Sequence, residues 1–302
     1  MSEANRKKTC GLFLKRTGLK QAALAALLAL ACGLAACAPG EGASSDAVSG
    51  AENSGAPLEE ITVTVFKTGK ADCILLELDG ASVLIDTAEK GDGEEIAEEL
   101  QARDISRLDL VLLTHLDKDH IGGAPDILEN FEVGQLVQAD YDEDSKQYTA
   151  YQEAAEAAGV TPVRLKEPLE LELGGAKLTL TPGANPPYMD DNDYSILTEM
   201  AYGANRFLFA GDAEELRLSE FLASSPGTYD FLKVPHHGRY NTKTAVFLSQ
   251  VQPKIAVITC SDKNPAEEET LAVLERLGTQ VYLTTDGTVT LRSDGQTLSA
   301  QQ

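Results

Sequence analysis

The apolar run Leu108–Thr114 empties into His115-Leu116-Asp117-Lys118-Asp119-His120-Ile121-Gly122-Gly123, so a segment built for burial delivers two imidazoles and two carboxylates to its own end. Such groups are expensive to bury without partners, and any fold of this chain must bring partners to that strand end. If the backbone stays extended, His115, Asp117 and Asp119 point to one side, and a curl before Ile121 brings His120 round to join them. Gly122 and Gly123 make room for a tight strand-to-helix turn, while Lys118 faces the other way. The chain has 4 histidines, and the other two, His236 and His237, sit together in VPHHGRYNT. Histidine is the commonest metal-ligating side chain, so the two clusters read as one metal centre assembled from two distant loops.

Asp86 and Asp212 each close an apolar strand, in SVLIDTA and RFLFAGDAEE. Either alone could cap a following helix. With the histidine clusters present, Asp212 is expected to bridge two cations and Asp86 to orient a ligand or a metal-bound water from behind. Adjacent residues of an extended strand face apart, so one of His236 and His237 is expected to reach the metal. The reading favours His237, leaves His236 to touch substrate oxygens or protonate a leaving group, and keeps the reverse assignment open.

Strand-like runs are expected at Ile61–Thr68, Cys73–Leu78 and Ser82–Asp86, the last two joined through Asp79-Gly80, so the chain begins with antiparallel structure. Helical spacing follows at 93–103, 121–130, 146–158, 213–223, 242–250 and 266–277, alternating with strands at 108–114, 133–139 and 254–260. Hairpins are expected around 169–181 and 195–210, and a last one at 281–292 turning on Asp286-Gly287. Two β-rich halves, each with helices, imply packed sheets covered on both outer faces. Residues 58–302 hold no second linker and are expected to form one domain.

Residues 1–36 open with six basic side chains and run through the apolar stretch Gln21–Ala36, which is too short to span a membrane. Leu34-Ala35-Ala36-Cys37 resembles the bacterial lipobox. The expectation is a lipoprotein signal peptide at 1–36, lipidation of Cys37, and a flexible Gly/Ser/Ala-rich linker within 37–57. The product would be exported and lipid-anchored to the outer face of the cytoplasmic membrane, as a monomer. Loss of 1–36 would move the formal net charge from −23 to −28, the opposite of a nucleic-acid binder's basic footprint, so a polyanionic substrate would have to be received by bound cations. Only Cys73 and Cys260 would remain besides Cys37; both lie in apolar segments and read as small buried hydrophobes, with no disulfide framework.

Together these segments resemble the metallo-β-lactamase superfamily, and within it the hydrolase domain of ComEC-type competence proteins. The resemblance rests on VTVFKTGKADCILLELDGASVLIDTA as opening strands, THLDKDHIGG as an HxDxDHxGG metal motif, FAGDAEE as the bridging-aspartate strand and LKVPHHGRYNT as an HHGS-type loop. It implies an α/β (α+β) fold, a four-layer αββα sandwich, and a hydrolase using one or two divalent ions and a bridging hydroxide. It also implies that His115 and Asp117 hold a first metal, that Asp119, His120 and His237 hold a second, that Asp212 bridges, and that Asp119 orients the nucleophile. Asp117 stands where many members carry histidine, so the first position is oxygen-rich and suited to manganese, or to weakly held zinc. NPPYMDDNDYS resembles the NxxS region of ComEC-type domains, making Asn192 and Ser195 candidates for contacting substrate or orienting ligands, against a plain reading as a loop with a cap. Lys70 and Arg239 depart from the family pattern, which has glutamine and serine there.

The expected activity is phosphodiester hydrolysis, on DNA or a cell-wall polymer. The alternatives are a non-catalytic lipoprotein that binds such polymers, and a hydrolase of a non-phosphate ester or lactone.

Overall fold

The computed structural model describes residues 58–302. The expected signal peptide, Cys37 and linker lie outside the described residues. Strands β1 (Ile61–Val65), β2 (Ile74–Leu78), β3 (Ala81–Ile85), β4 (Arg107–Leu113), β5 (Glu132–Ala139) and β6 (Val163–Leu165) belong to a first sheet. Strands β7 (Leu169–Leu173), β8 (Ala176–Thr181), β9 (Leu197–Tyr202), β10 (Asn205–Phe209), β11 (Phe231–Lys233), β12 (Ile255–Ile258) and β13 (Gln280–Leu283) form a second sheet of seven. The chain then returns, and β14 (Val289–Ser293) and β15 (Leu298–Gln301) complete the first sheet as an eight-stranded one in the order β15-β14-β1-β2-β3-β4-β5-β6.

Seven helices cover the sheets: α1 (Gly93–Ala102), α2 (Lys118–Ile121), α3 (Ala124–Asn130), α4 (Lys146–Ala158), α5 (Glu215–Ala223), α6 (Thr244–Val251) and α7 (Glu268–Leu277). Helix α3 packs on α1 and α4, and α6 packs on α5 and α7. The period-2 alternation of the second sheet explains the layering. Phe207, Phe209, Phe231 and Val257 join the core that contains β1–β5, whereas Leu208, Leu232, Ala256 and Ile258 join the core beneath α5–α7. Strands β10, β11 and β12 thus bury both faces, and the result is the expected αββα sandwich.

Two local expectations are corrected. Asp286-Gly287 does not turn a hairpin: β13 pairs in parallel with β12 in the second sheet, and β14 pairs antiparallel with β1 in the first. The turn chemistry is right for a reversal, but the long-range partners of the two strands decide which sheet each joins. The helix expected from Ile121 begins earlier, at Lys118, and breaks between α2 and α3. The break falls at Gly122 and Gly123, where backbone runs too close for any side chain: a Cβ on Gly122 would lie 2.3 Å from the Lys90 nitrogen, and one on Gly123 would lie 2.2 Å from the Thr87 oxygen.

Cys73 and Cys260 are buried and free. Among the described residues no helix is long and apolar enough to cross a membrane.

In each sheet one half is parallel, β3-β4-β5-β6 in the first and β10-β11-β12-β13 in the second. Carboxyl ends of parallel strands are where α/β folds place their ligands. Here they carry Asp86, His115, Asp212 and His237, and the Ile196 amide donates to the Thr114 carbonyl at 2.9 Å, joining the two sheets at that end.

Candidate metal centre

Asp119, His120, Asp212 and His237 converge, each offering a donor atom within 4.8 Å of the others'. All four are buried. Asp212 Oδ2 lies 2.9 Å from His237 Nε2 and 3.4 Å from His120 Nε2, and Asp119 Oδ2 lies 3.4 Å from His237 Nε2. His115 lies beside this group, fully buried, with its ring centroid 3.9 Å from that of His120.

What makes this a metal site is the way each imidazole is held from behind. His120 Nδ1 donates to Asp86 Oδ2 at 2.8 Å. His115 Nδ1 lies 3.3 Å from the Thr114 hydroxyl, and His237 Nδ1 lies 3.1 Å from the Thr259 hydroxyl. A threonine hydroxyl has one proton. Thr114 gives it to Asp86 at 2.7 Å and Thr259 gives it to Asp72 at 2.6 Å, so both hydroxyls can only accept from the histidines. All three rings therefore donate through Nδ1 and turn Nε2 to the centre. There Nε2 of His115, His120 and His237 and Oδ1 of Asp212 are buried with no hydrogen-bond partner. Buried polar atoms without partners are rare, and three imidazole nitrogens beside carboxylates form the donor set of a divalent transition metal.

The electrostatics agree. Burial would raise Asp212, but the charges of His237, His120 and Lys233 hold it well below the usual carboxylate range. Asp119 is likewise held low: burial is outweighed by the close approach of His237 and Lys70 and by the charge of His120. Burial would lower His120 and His237, yet the carboxylates around them push both up, Asp212 foremost. His115, fully desolvated and next to His120, goes the other way and stays neutral. The carboxylates keep their charge, and a divalent ion would take the place of the ring protons on His120 and His237 that otherwise balance it.

Not every expected residue meets there. Asp117 is outside the four-residue group: its side chain is 42% exposed and approaches His115 Nε2 to 3.9 Å. It does not continue an extended strand but precedes α2, whose helical turn carries Asp119 and His120 inward. Asp86 sits behind the centre and holds His120, as expected. His236 and His237 do not lie on an extended strand. With Gly238 they form a left-handed run, φ 45°, 53° and 76°. Non-glycine residues pay about 1–2 kcal/mol each for that geometry. The His236 amide is anchored on the Gly211 carbonyl at 3.1 Å. The turn sends His237 to the centre and His236 to Glu214, 2.6 Å from Oε1, and that hydrogen bond holds Glu214 below the usual glutamate range.

Ser195 is buried, and its hydroxyl accepts from the Asp212 amide at 3.1 Å, so it positions the bridging candidate. Asn192 lies in a 3-10 turn, with its amide donating to Asp190 Oδ1 at 3.0 Å.

The sequence reading passed over Asp72, Lys233, Thr114, Thr259 and Glu214. Lys233 is fully buried, paired with Asp72, 3.6 Å from Asp212 Oδ1, and donates to the Gly211 carbonyl at 3.2 Å. Its signal was a cation inside the apolar run Phe231–Pro235. Asp72, Asp86 and His120 also cluster, but each of these carboxylates already has its donors, so this second group supports the first.

The model of the metallo-beta-lactamase superfamily matches residues 67–261. ComE operon protein 3 of Bacillus subtilis (strain 168) is 30% identical over 199 residues, 64% of this chain and 26% of that protein. Recombination protein 2 of Haemophilus influenzae is 27% identical over 220 residues, 71% of this chain and 26% of that protein. The chain thus spans about a quarter of the length of these curated relatives. Among solved structures, the metallo-beta-lactamase fold protein YhfI from Bacillus subtilis superposes with a TM-score of 0.54 at 13% identity, over 80% of this chain and 99% of that one. The chain belongs to the metallo-beta-lactamase superfamily and is similar to the competence proteins.

Proposed function

We propose that residues 58–302 form a metal-dependent phosphodiesterase that acts on nucleic-acid strands outside the cytoplasm, tethered through a lipid on Cys37. The observation that carries the metal dependence is the set of three buried Nε2 atoms turned, unpaired, toward Asp119 and Asp212. Asp119, Asp212, His120 and His237 would hold one divalent ion, manganese or zinc. His115, with Asp117 at the open side, would hold the other if a second binds. A bound divalent ion supplies a Lewis acid and a water acidic enough to attack near neutral pH.

The protein's own groups do the rest. Asp119, anchored by Lys70, would accept the proton of the attacking water. His236, held by Glu214, would donate to a leaving oxygen. Support for a nucleic-acid strand, over a cell-wall phosphodiester, comes from the relatives' names, which speak of competence and recombination.

The test is hydrolysis of a chromogenic phosphodiester and of linear DNA by residues 38–302, against Asp119→Ala, with elemental analysis of the protein purified without added metal. Metal-dependent turnover lost in the variant is the expected result. A metal-loaded protein that cleaves neither, while opening a lactone or lactam, would replace the phosphodiesterase reading, and one that binds DNA without turnover would make it a binding lipoprotein.

A further inference from the structure

Lys70, Arg239 and Lys263 come from three separate loops and line one cleft of about 300 Å³ beside His237, together with Asn264 and Glu267. In a chain of net charge −23 this is a concentration of cations against the overall field. Its walls are fixed. The Glu267 amide donates to the Gly238 carbonyl at 3.2 Å, the Glu267 carboxylate accepts from the Tyr240 amide at 3.0 Å, and a Cβ on Gly238 would stand 3.0 Å from that of Ala266. Lys263 rides on a closed turn in which the amides and carbonyls of Ser261 and Asn264 pair reciprocally.

The three cations are not equivalent. Lys70 is spent on Asp119 and ties the cleft to the metal centre. Arg239 and Lys263 form no ion pair among the described residues, and the one carboxylate in the cleft, Glu267, is turned to the Tyr240 amide. Two charges are therefore left for something that enters.

We propose that this cleft is an anion subsite for the phosphate adjacent to the scissile one, so that the enzyme selects phosphodiesters that carry a neighbouring phosphate over isolated diesters. The proposal rests on the phosphodiesterase reading above. A metal centre neutralises the phosphate it holds but not the next one along a strand, which the acidic body of the protein repels. Arg239 presents a planar fork that matches phosphate geometry, and Lys263 adds a point charge to the same cleft.

The test is a binding measurement, independent of turnover. Metal-loaded protein is titrated calorimetrically with dithymidine whose internucleotide link is a non-hydrolysable methylene phosphonate. The ligand is used without a terminal phosphate and with one on its 5′ or its 3′ end. The expected result is that one phosphorylated form binds the wild type about tenfold more tightly than the bare form, a gain of about 1.4 kcal/mol. In Arg239→Ser and in Lys263→Ala, at exposed positions with melting temperature as the control for folding, the ratio falls to about twofold or less. No advantage for either phosphorylated form in the wild type, or a ratio unchanged in both variants, overturns the subsite. Failure of the wild type to hydrolyse any diester is read separately and bears on the activity, not on the ratio.

Discussion

Thr259 gives its only hydroxyl proton to Asp72 Oδ1, 2.6 Å away, and so can meet His237 Nδ1 only as an acceptor. Asp72 thereby fixes, through one oxygen atom, which nitrogen of His237 faces the centre. Thr259→Val keeps the shape and removes the relay. Metal affinity, measured by competition with a chelating dye, is expected to fall 10–100-fold, the usual range for losing a ligand's outer partner, and Thr259→Ser to recover most of it. Equal affinity in wild type and Thr259→Val would sink the relay.

Lys233 and Asp72 form a buried ion pair, and removing one partner strands the other's charge. Lys233→Met is expected to cost about 3–5 kcal/mol in chemical denaturation. Adding Asp72→Asn should restore part of that loss rather than deepen it, because the stranded charge disappears. Strictly additive losses would show that the two residues do not depend on each other.

Loading the centre should raise the unfolding free energy by about 2.7 kcal/mol when the metal is present at a hundred times its dissociation constant. The shift, read by calorimetry with manganese and with zinc, should vanish in His237→Ala and Asp119→Ala. An equal shift in those variants would place the ion elsewhere.

The places where chemistry would gather were legible because charged residues sit at the ends of apolar strands: Asp86 after β3, His115–His120 after β4, Asp212 after β10 and His237 after β11. The backbone path between them was not. The apolar run implies an extended strand continuing through Asp117, whereas the chain turns helical at Lys118 and leaves Asp117 half in solvent. Thr114 and Thr259 gave no signal, because a threonine at a strand end is ordinary until its aspartate and its histidine are seen on either side. The Asp286-Gly287 turn misled for the same reason, since local turn chemistry says nothing about which sheet the next strand joins.

Acid should loosen the segment after β8 before the rest. Burial would raise the Glu220 carboxyl, but donation from the Ala184 amide, the Tyr188 hydroxyl and Asn185, together with the charge of Arg217, holds it below the ordinary glutamate range. A depressed folded-state pKa gives stability that is fully present above the unfolded value of about 4.3 and is lost as pH falls through the folded value below it. Glu220→Gln should therefore cost about 1–2 kcal/mol at neutral pH, and its difference from wild type should close below about pH 4 in denaturation curves. A gap independent of pH would mean that the carboxylate's charge plays no part.

The hydrogen bond from Ile196 to Thr114 marks a seam, since His115, Asp119 and His120 follow a strand of one sheet, and Asp212 and His237 follow strands of the other. An ion held by Asp119, His120, Asp212 and His237 would be a rivet through both halves of the sandwich. Prising the sheets apart and releasing the ion would then be a single event, so resistance to mechanical unfolding in this chain would be set by the same bonds that set its chemistry.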